Sequence, residues 1–198
     1  MKMKTLVGAV VTAGAVTLSA FALAADPSTA LLSSTCYGCH GTDGSSRGPS
    51  MPSIAAMDAT YFVESMQAFR EGKRAATVMT RIAKGYTDEE IKAMAQYFST
   101  QKLVRFPQQF DPKLAERGKT LHENYCEKCH EDGGRKSDEA GVLAGQMMPY
   151  LRFSLDDFLQ GRREIDKKMK AKVDDLLAAE GKEGLEALVH FYGSQYDK

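Results

Sequence analysis

An internal repeat built around the cysteines most limits how this 198-residue chain can fold. All four cysteines occur in two identical Cys-x-x-Cys-His frames, Cys36–His40 and Cys126–His130, which start 90 positions apart. A nearly constant offset of 89 continues downstream, at Ile54/Leu143, Tyr61/Tyr150, Phe69/Phe158, Gly72/Gly161 and Arg74/Arg163. This self-similarity predicts two tandem copies of one unit, each of roughly 85 residues and too small to bury a generous core alone.

The Cys-x-x-Cys-His frame is the attachment signature of c-type haem. Two thiols three positions apart reach the two vinyl groups on one edge of a porphyrin, and the adjacent histidine can ligate the iron. A zinc ribbon would bring its two cysteine pairs closer together, a thioredoxin-like site needs a βαβ pattern, and disulfides need no histidine. The frames therefore predict two covalent haems, with thioether bonds from Cys36, Cys39, Cys126 and Cys129 and axial iron ligation by His40 and His130.

Two methionines are candidates for the second axial position. Haem iron in an electron carrier usually takes methionine opposite histidine, and the thioether raises the reduction potential. Met79 follows His40 by 39 residues, and Met169 follows His130 by the same 39. Met57 and Met147 also share a spacing, 17 residues after their own histidines, but both are too close to the attachment frames. We therefore predict that Met79 and Met169 are the second iron ligands.

Two other histidines compete for that position, and a backbone group is expected to orient the first ligand. His122 and His190 do not recur in the first repeat, so both are interpreted as ordinary histidines on a helix surface. The carbonyl of Pro52 is the expected acceptor for the Nδ1–H of His40, because ligand imidazoles usually donate their second N–H. The second repeat offers residues 141–143 for the same bond, without a proline.

Residues 1–25 have the pattern of a secretory signal peptide. A basic start and an apolar run precede the small-x-small pattern of Ala22–Ala24, and cleavage is expected after Ala24 or Ala25. An uncleaved anchor is the alternative, because the run is nearly long enough to span a bilayer. We expect an exported, periplasmic protein with no stable membrane insertion.

The rest of the chain has a helical composition, with only ten isoleucines and valines from 26 to 198. We predict a first repeat over 26–103, a linker over 104–113 that lacks a helical pattern around Pro107, and a second repeat over 114–198. Matching of the final apolar stripes places about four extra residues near 176–184, which we expect to enlarge a loop before the last helix.

At these residues the chain resembles a known family. The two frames, with Leu143–Gln146 and the Phe158-x-x-Gly161-x-Arg163 stretch, resemble the two-haem class I cytochromes c. Residues 81–86, 121–130 and 167–169 are more closely similar to the cytochrome subunit of sulfide-oxidising flavocytochrome c. The resemblance implies an all-α fold of two tandem class I cytochrome c domains, each wrapped around one covalent haem. It also implies an FAD-binding flavoprotein subunit as donor and a soluble acceptor such as another cytochrome c.

The sequence excludes several functions and leaves two classes open. It has no Gly-x-Gly-x-x-Gly and no βαβ pattern, so the chain is not expected to hold FAD itself or to be an enzyme on its own. Its 26 basic and 26 acidic side chains give no electrostatic footprint for nucleic acid. A peroxidase would need an open distal site, which two methionine ligands disfavour. An electron-transfer subunit of a flavoenzyme and a free two-haem carrier remain.

The charge distribution separates these two classes slightly. Residues 26–103 carry 8 basic and 8 acidic side chains, whereas residues 104–198 carry 16 and 18. Because permanent interfaces are less charged, the first repeat is the expected docking surface for a flavoprotein, and the second is expected to meet the acceptor. The alternative is that the second repeat has a more solvated surface.

Overall fold

Every regular element of the described chain is helical. The structure, a computed structural model, describes residues 27–136 and 140–197. No strand occurs in these two ranges, which confirms the predicted all-α fold. No helix within them is both long and apolar enough to cross a bilayer. The predicted signal peptide, residues 1–25, lies outside the described residues.

The two repeats have related helix orders. The helices of the first repeat are α1 (Pro27–Ser34), α2 (Tyr37–His40), α3 (Ala59–Arg70), α4 (Met79–Ile82) and α5 (Asp88–Ser99), with a 3-10 turn at Ala83–Gly85. Those of the second repeat are α6 (Pro112–Tyr125), α7 (Glu131–Gly134), α8 (Met148–Leu159) and α9 (Lys167–Gly193). The short α7 includes left-handed backbone at Asp132 and Gly133, so it is a tight loop rather than a regular helix.

Side-chain caps begin helices α5 and α6. The Thr87 hydroxyl accepts from the backbone N–H of Glu90, and the Glu90 carboxylate accepts from the N–H of Thr87, which together form the capping box of α5. Asp111 caps α6, and Pro112 occupies its first turn. These caps fix the first turns of the helices that pack on each core.

Each repeat has its own buried apolar cluster. In the first, Ile91, Met94 and Phe98 of α5 are fully buried. In the second, α9 packs across α6, and the crossing is closest at Gly118. A Cβ there would lie 2.0 Å from the carbonyl oxygen of Ala187. Only glycine therefore allows this crossing.

The extra residues of the second repeat do not enlarge a loop, contrary to the prediction. They lie inside α9, which runs from Lys167 to Gly193 with one interruption at Gly181. Gly181 has φ 64° and ψ −164°, a conformation that L residues rarely adopt. Leu176 before the interruption and Leu185 after it are both buried in the same core. Burial on both sides holds the two parts of the helix together.

The predicted linker is bonded to both repeats. Residues 104–111 contain no helix, as predicted, but α6 already begins at Pro112 within the predicted 104–113 segment. The N–H of Val104 donates to Ser45 Oγ of the first repeat at 3.0 Å. Arg105 Nε donates to the carbonyl of Ala144 in the second repeat, also at 3.0 Å. The segment is thus a fixed spacer, while the exact repeat boundaries stay a prediction.

Candidate haem-attachment site

The first frame places an oriented imidazole beside two thiols. Its residues form α2, in which the N–H of His40 donates to the carbonyl of Cys36 at 3.0 Å. His40 is buried, and its Nδ1 lies 2.7 Å from the Pro52 carbonyl oxygen. A carbonyl only accepts, so Nδ1 carries the proton and Nε2 keeps its lone pair. Burial lowers the pKa of His40 despite the opposing effect of the Pro52 bond, which favours the neutral imidazole.

The loop that follows the haem-attachment frame has the same hydrogen bonds in both repeats. The N–H groups of Ile54 and Ala55 donate to the Gly44 carbonyl at 2.7 and 3.0 Å. In the second repeat those of Leu143 and Ala144 donate to the Gly134 carbonyl at 3.0 and 2.9 Å. Both glycines have positive φ, 88° and 84°, and they stand 90 positions apart. This recurring glycine was missed in the sequence, although the repeat offset alone would have found it.

His122 is not a surface histidine, contrary to the interpretation from the sequence. It is 1 % exposed and lies where α6 meets α9. Its Nδ1 is 2.9 Å from the Tyr192 hydroxyl, and its Nε2 is 2.5 Å from a carboxylate oxygen of Glu127. Glu127 also accepts from the N–H of Asp132 at 2.9 Å. His122 therefore ties α9 to the second frame and its loop. Burial of His130 itself, with a smaller electrostatic effect of the neighbouring His122, lowers the pKa of His130.

The two candidate methionines lie at the starts of helices. Met79 is the first residue of α4, and it is half-buried against the first apolar cluster. Met169 is in the first turn of α9, where its N–H donates to the cap Asp166 at 3.2 Å. It too is half-buried. His190, the other competing histidine, accepts from the N–H of Asp111 through Nδ1 at 2.8 Å.

A reciprocal pair of arginine–tyrosine contacts joins the repeats. Arg74 is 8 % exposed and donates to Tyr150 of the second repeat at 2.9 Å, and to Ser65 of its own at 2.7 Å. The second pair has the same pattern with the repeats exchanged, since Arg163 donates to Tyr61 and to Ser154. Such an exchange is the mark of an isologous contact.

The charges in this contact act on the tyrosines. Burial alone would raise the pKa of Tyr150, but the guanidinium groups of Arg74 and Arg163 outweigh it and lower that pKa. The hydroxyl groups of Tyr61 and Tyr150 both bond across the contact. The repeat offset identifies the two tyrosines as equivalent but does not show that each meets the arginine of the other repeat.

Two further contacts reinforce this boundary. The side chain of Gln146 accepts from the N–H of Ser53 at 2.8 Å and donates to the carbonyl of Ser53 at 3.0 Å. Ser53 follows Pro52, the acceptor for His40, so the second repeat holds the residue next to that acceptor. The N–H of Ala75 also donates to the carbonyl of Arg162 at 3.2 Å.

Comparison with known proteins decides the family. The sequence profile described as cytochrome c matches residues 25–102. Cytochrome c4 of Pseudomonas aeruginosa is 31% identical over 145 residues, which is 68% of this chain and 71% of that protein. The chain belongs to the cytochrome c family. The cytochrome subunit of sulfide dehydrogenase of Chlorobaculum tepidum is 48% identical over 68 residues, 34% of this chain and 61% of that protein.

The fold comparison agrees with this family. The crystal structure of reduced recombinant cytochrome c4 from Pseudomonas stutzeri aligns with a TM-score of 0.72 and 25% sequence identity. The alignment covers 85% of this chain and 97% of the other. The likeness therefore extends across both repeats, and it supports the predicted tandem class I cytochrome c domains.

A cytochrome c carries covalent haem, and the residues around the first frame fit it. The cysteines are free of disulfides within the described residues; Cys36 is half-buried and Cys39 exposed. Burial raises the pKa of the Cys36 thiol. Val78 and Ile82, close to Met79 in the chain, are 45% and 42% exposed despite their apolar side chains. Thiols, an oriented imidazole and accessible apolar side chains are what an apolar porphyrin needs.

Proposed function

We propose that this cytochrome c holds two covalent haems and relays electrons as a periplasmic subunit of a sulfide dehydrogenase. One haem is attached to Cys36 and Cys39, and the other to Cys126 and Cys129. The observation that carries the relay is the reciprocal contact through Arg74 and Arg163, which fixes two attachment frames in one body. Iron in bound haem supplies a centre that gains and loses one electron.

The chain's own residues prepare each centre. The bond from His40 Nδ1 to the Pro52 carbonyl at 2.7 Å aims Nε2 away from the loop and increases its basicity as a ligand. Met79 and Met169 would complete the two coordination spheres, and thioether ligation favours the reduced iron. With both axial positions filled by protein, the chain transfers electrons and performs no substrate chemistry by itself.

The proposed donor is a separate FAD-binding flavoprotein subunit, docked on the first repeat. The 48% identity to a sulfide dehydrogenase cytochrome subunit supports this partner, although it covers 34% of the chain. Its lower charge also favours this repeat, since residues 26–103 carry 16 charged side chains and residues 104–198 carry 34. The more highly charged second repeat suits a brief encounter with a soluble acceptor such as another cytochrome c.

The haem assignment is tested on the purified mature protein. Intact mass should exceed that of the apoprotein by two haem masses, and the ferric protein should show the weak near-infrared sulfur-to-iron band. Met79→Ala and Met169→Ala should each remove about half of that band, because each thioether ligates one iron. Met66→Ala, at a buried core methionine, is the control and should leave it intact. A gain of one haem or none, or a band that keeps its full intensity in either ligand variant, would contradict the assignment.

The partner is tested by co-expression with an FAD-binding sulfide dehydrogenase subunit. The complex should co-purify with FAD and withstand salt, and hydrogen exchange should slow mainly between residues 26 and 103 on binding. Slower exchange beyond residue 113 would reverse the proposed order of the two haems. No stable complex would favour the second candidate, a free two-haem carrier, which the match to cytochrome c4 over 68% of the chain supports.

A further inference from the structure

The segments that carry the two candidate methionines are bonded to the opposite repeats. Arg74 lies five residues before Met79, and Arg163 lies six before Met169. The segments also meet directly, because the N–H of Ala75 donates to the carbonyl of Arg162 at 3.2 Å. Neither methionine segment is therefore held by its own repeat alone.

The same turn places each arginine at the contact. After α3, Gly72 has φ 74°, and the N–H of Arg74 returns to the carbonyl of Ala68 at 3.1 Å. After α8, Gly161 has φ 67°, and the N–H of Arg163 returns to the Asp157 carbonyl at 3.2 Å. Only glycine takes such a φ without strain. The turn ends each helix and points the chain toward the methionine.

Each guanidinium depends on neutral partners. Within residues 27–136 and 140–197, no carboxylate lies within ion-pair distance of Arg74 or Arg163. Arg74 stacks on the ring of Phe69 at 4.5 Å and donates to the hydroxyls of Ser65 and Tyr150, and the Tyr61 hydroxyl of its own repeat also interacts with it. A buried charge that loses one of its hydroxyl partners must move or admit water, since an unsatisfied charged donor is costly.

We propose that the tyrosine of each repeat positions the axial methionine of the other. Tyr150 of the second repeat holds Arg74, and Arg74 fixes the short segment that leads to Met79. The same relation, with the repeats exchanged, holds for Tyr61, Arg163 and Met169. This inference rests on the proposed ligand role of the two methionines.

The contact has a consequence for electron transfer. Because each iron–sulfur bond depends on a hydroxyl from the other repeat, separation of the repeats weakens methionine ligation at both haems. Methionine ligation, which raises the reduction potential of each haem, therefore depends on the contact between the two repeats. The tyrosines are positioning residues, since they act on the ligands through the arginines.

The test uses the holoprotein and variants that remove one hydroxyl. In the reduced protein the methyl group of each ligating methionine gives a separate ring-shifted NMR signal, which Met79→Ala and Met169→Ala assign. Tyr150→Phe should shift the Met79 signal more than that of Met169, and Tyr61→Phe should do the reverse. In the ferric protein, the same variants should raise cyanide affinity at the opposite haem by roughly twofold to tenfold, as loss of one hydrogen bond permits.

Two controls isolate the crossed effect. Tyr97→Phe removes a hydroxyl that bonds Tyr37 inside the first repeat, and it should not affect the Met169 signal. In an Arg74→Gln background, Tyr150→Phe should have no further effect on Met79, because the two residues act in series.

The outcomes separate this inference from the proposed function. If the wild-type protein shows no methionine signals, the ligand assignment fails, and the crossed positioning fails with it. If the signals are present but Tyr150→Phe shifts only Met169, shifts both equally or shifts neither, the crossed positioning is wrong while the ligands stand.

Discussion

The two repeats fill the same space beside their haem-attachment frames with different chemistry. In the first repeat this space is apolar and aromatic: Phe98 is buried and stacks on Phe62, with ring centroids 5.8 Å apart. In the second it holds a hydrogen-bonded network that includes a buried imidazole. The equivalent positions, by the repeat offset, are Leu32/His122, Tyr37/Glu127 and Phe98/Tyr192.

The difference shows that the same fold accepts either apolar side chains or a hydrogen-bonded polar network beside the haem-attachment frame. An apolar filling loses stability gradually as atoms are removed. A polar network is stable only while each buried member keeps its partner. The second repeat should therefore be more sensitive to single substitutions in this region than the first.

The α6–α9 crossing at Gly118 gives the largest expected loss of stability. Gly118→Ala should destabilise the second repeat by about 3 kcal/mol, because the new methyl group meets the Ala187 backbone, which no rotamer change can relieve. Denaturant unfolding followed at the second haem measures this loss. The equivalent position of the first repeat is Ser28, an exposed residue of α1.

Thr120→Ala, at an exposed position of the same helix, is the control for that crossing. An exposed substitution of this size should change stability by about 0.5 kcal/mol or less. Equal losses from Gly118→Ala and Thr120→Ala would show that the α6–α9 crossing can open, and that the close approach is not what stabilises the second repeat.

The polar network gives an intermediate effect. His122→Leu copies the first repeat at one position and leaves the buried Tyr192 hydroxyl without its imidazole partner, which should cost about 2 kcal/mol. Glu127 is less affected, because 41% of its side chain is exposed and water can replace the imidazole. Thermal unfolding of the holoprotein measures the loss.

A second variant tests whether the comparison of fillings is correct. His122→Leu with Tyr192→Phe copies the Leu32/Phe98 pair and removes the stranded hydroxyl, so it should recover at least half of the loss. A double variant that loses as much stability as the sum of its two single variants would show that the His122–Tyr192 hydrogen bond does not account for the loss.

The residues that sequence could predict are those with fixed covalent or local geometry. The cysteine frames, the Pro52 acceptor and the caps at Thr87 and Asp111 all depend on spacing along the chain. The Arg74–Tyr150 contact could not be predicted, because an offset identifies equivalent residues but not which of them meet across a reciprocal contact. His122 was misjudged because it has no counterpart in the first repeat, whereas the close helix crossing at Gly118 buries it.

The helix caps give the smallest expected difference in stability between the two repeats. The hydroxyl of Thr87 caps α5, whereas the carboxylate of Asp111 caps α6. The backbone N–H groups of Leu114 and Lys113 donate to that carboxylate and lower the pKa of Asp111 below its unfolded value. Its stabilising effect is therefore complete above the unfolded pKa of about 4 and is lost as the pH falls through the folded pKa.

Acid should therefore destabilise the second repeat more in the wild-type protein than in the variant Asp111→Asn, whose cap is uncharged. Asparagine keeps an acceptor oxygen for the same N–H groups but does not titrate in this range. Between about pH 5 and pH 3, the unfolding midpoint of the second repeat should fall more steeply in the wild-type protein than in Asp111→Asn, with no difference at the first repeat. Hydrogen-exchange rates of the α6 backbone amides, measured across that pH range, report the loss of helix stability directly. Identical acid slopes in the two proteins would mean that other carboxylates of the second repeat, and not the cap, set its response to acid.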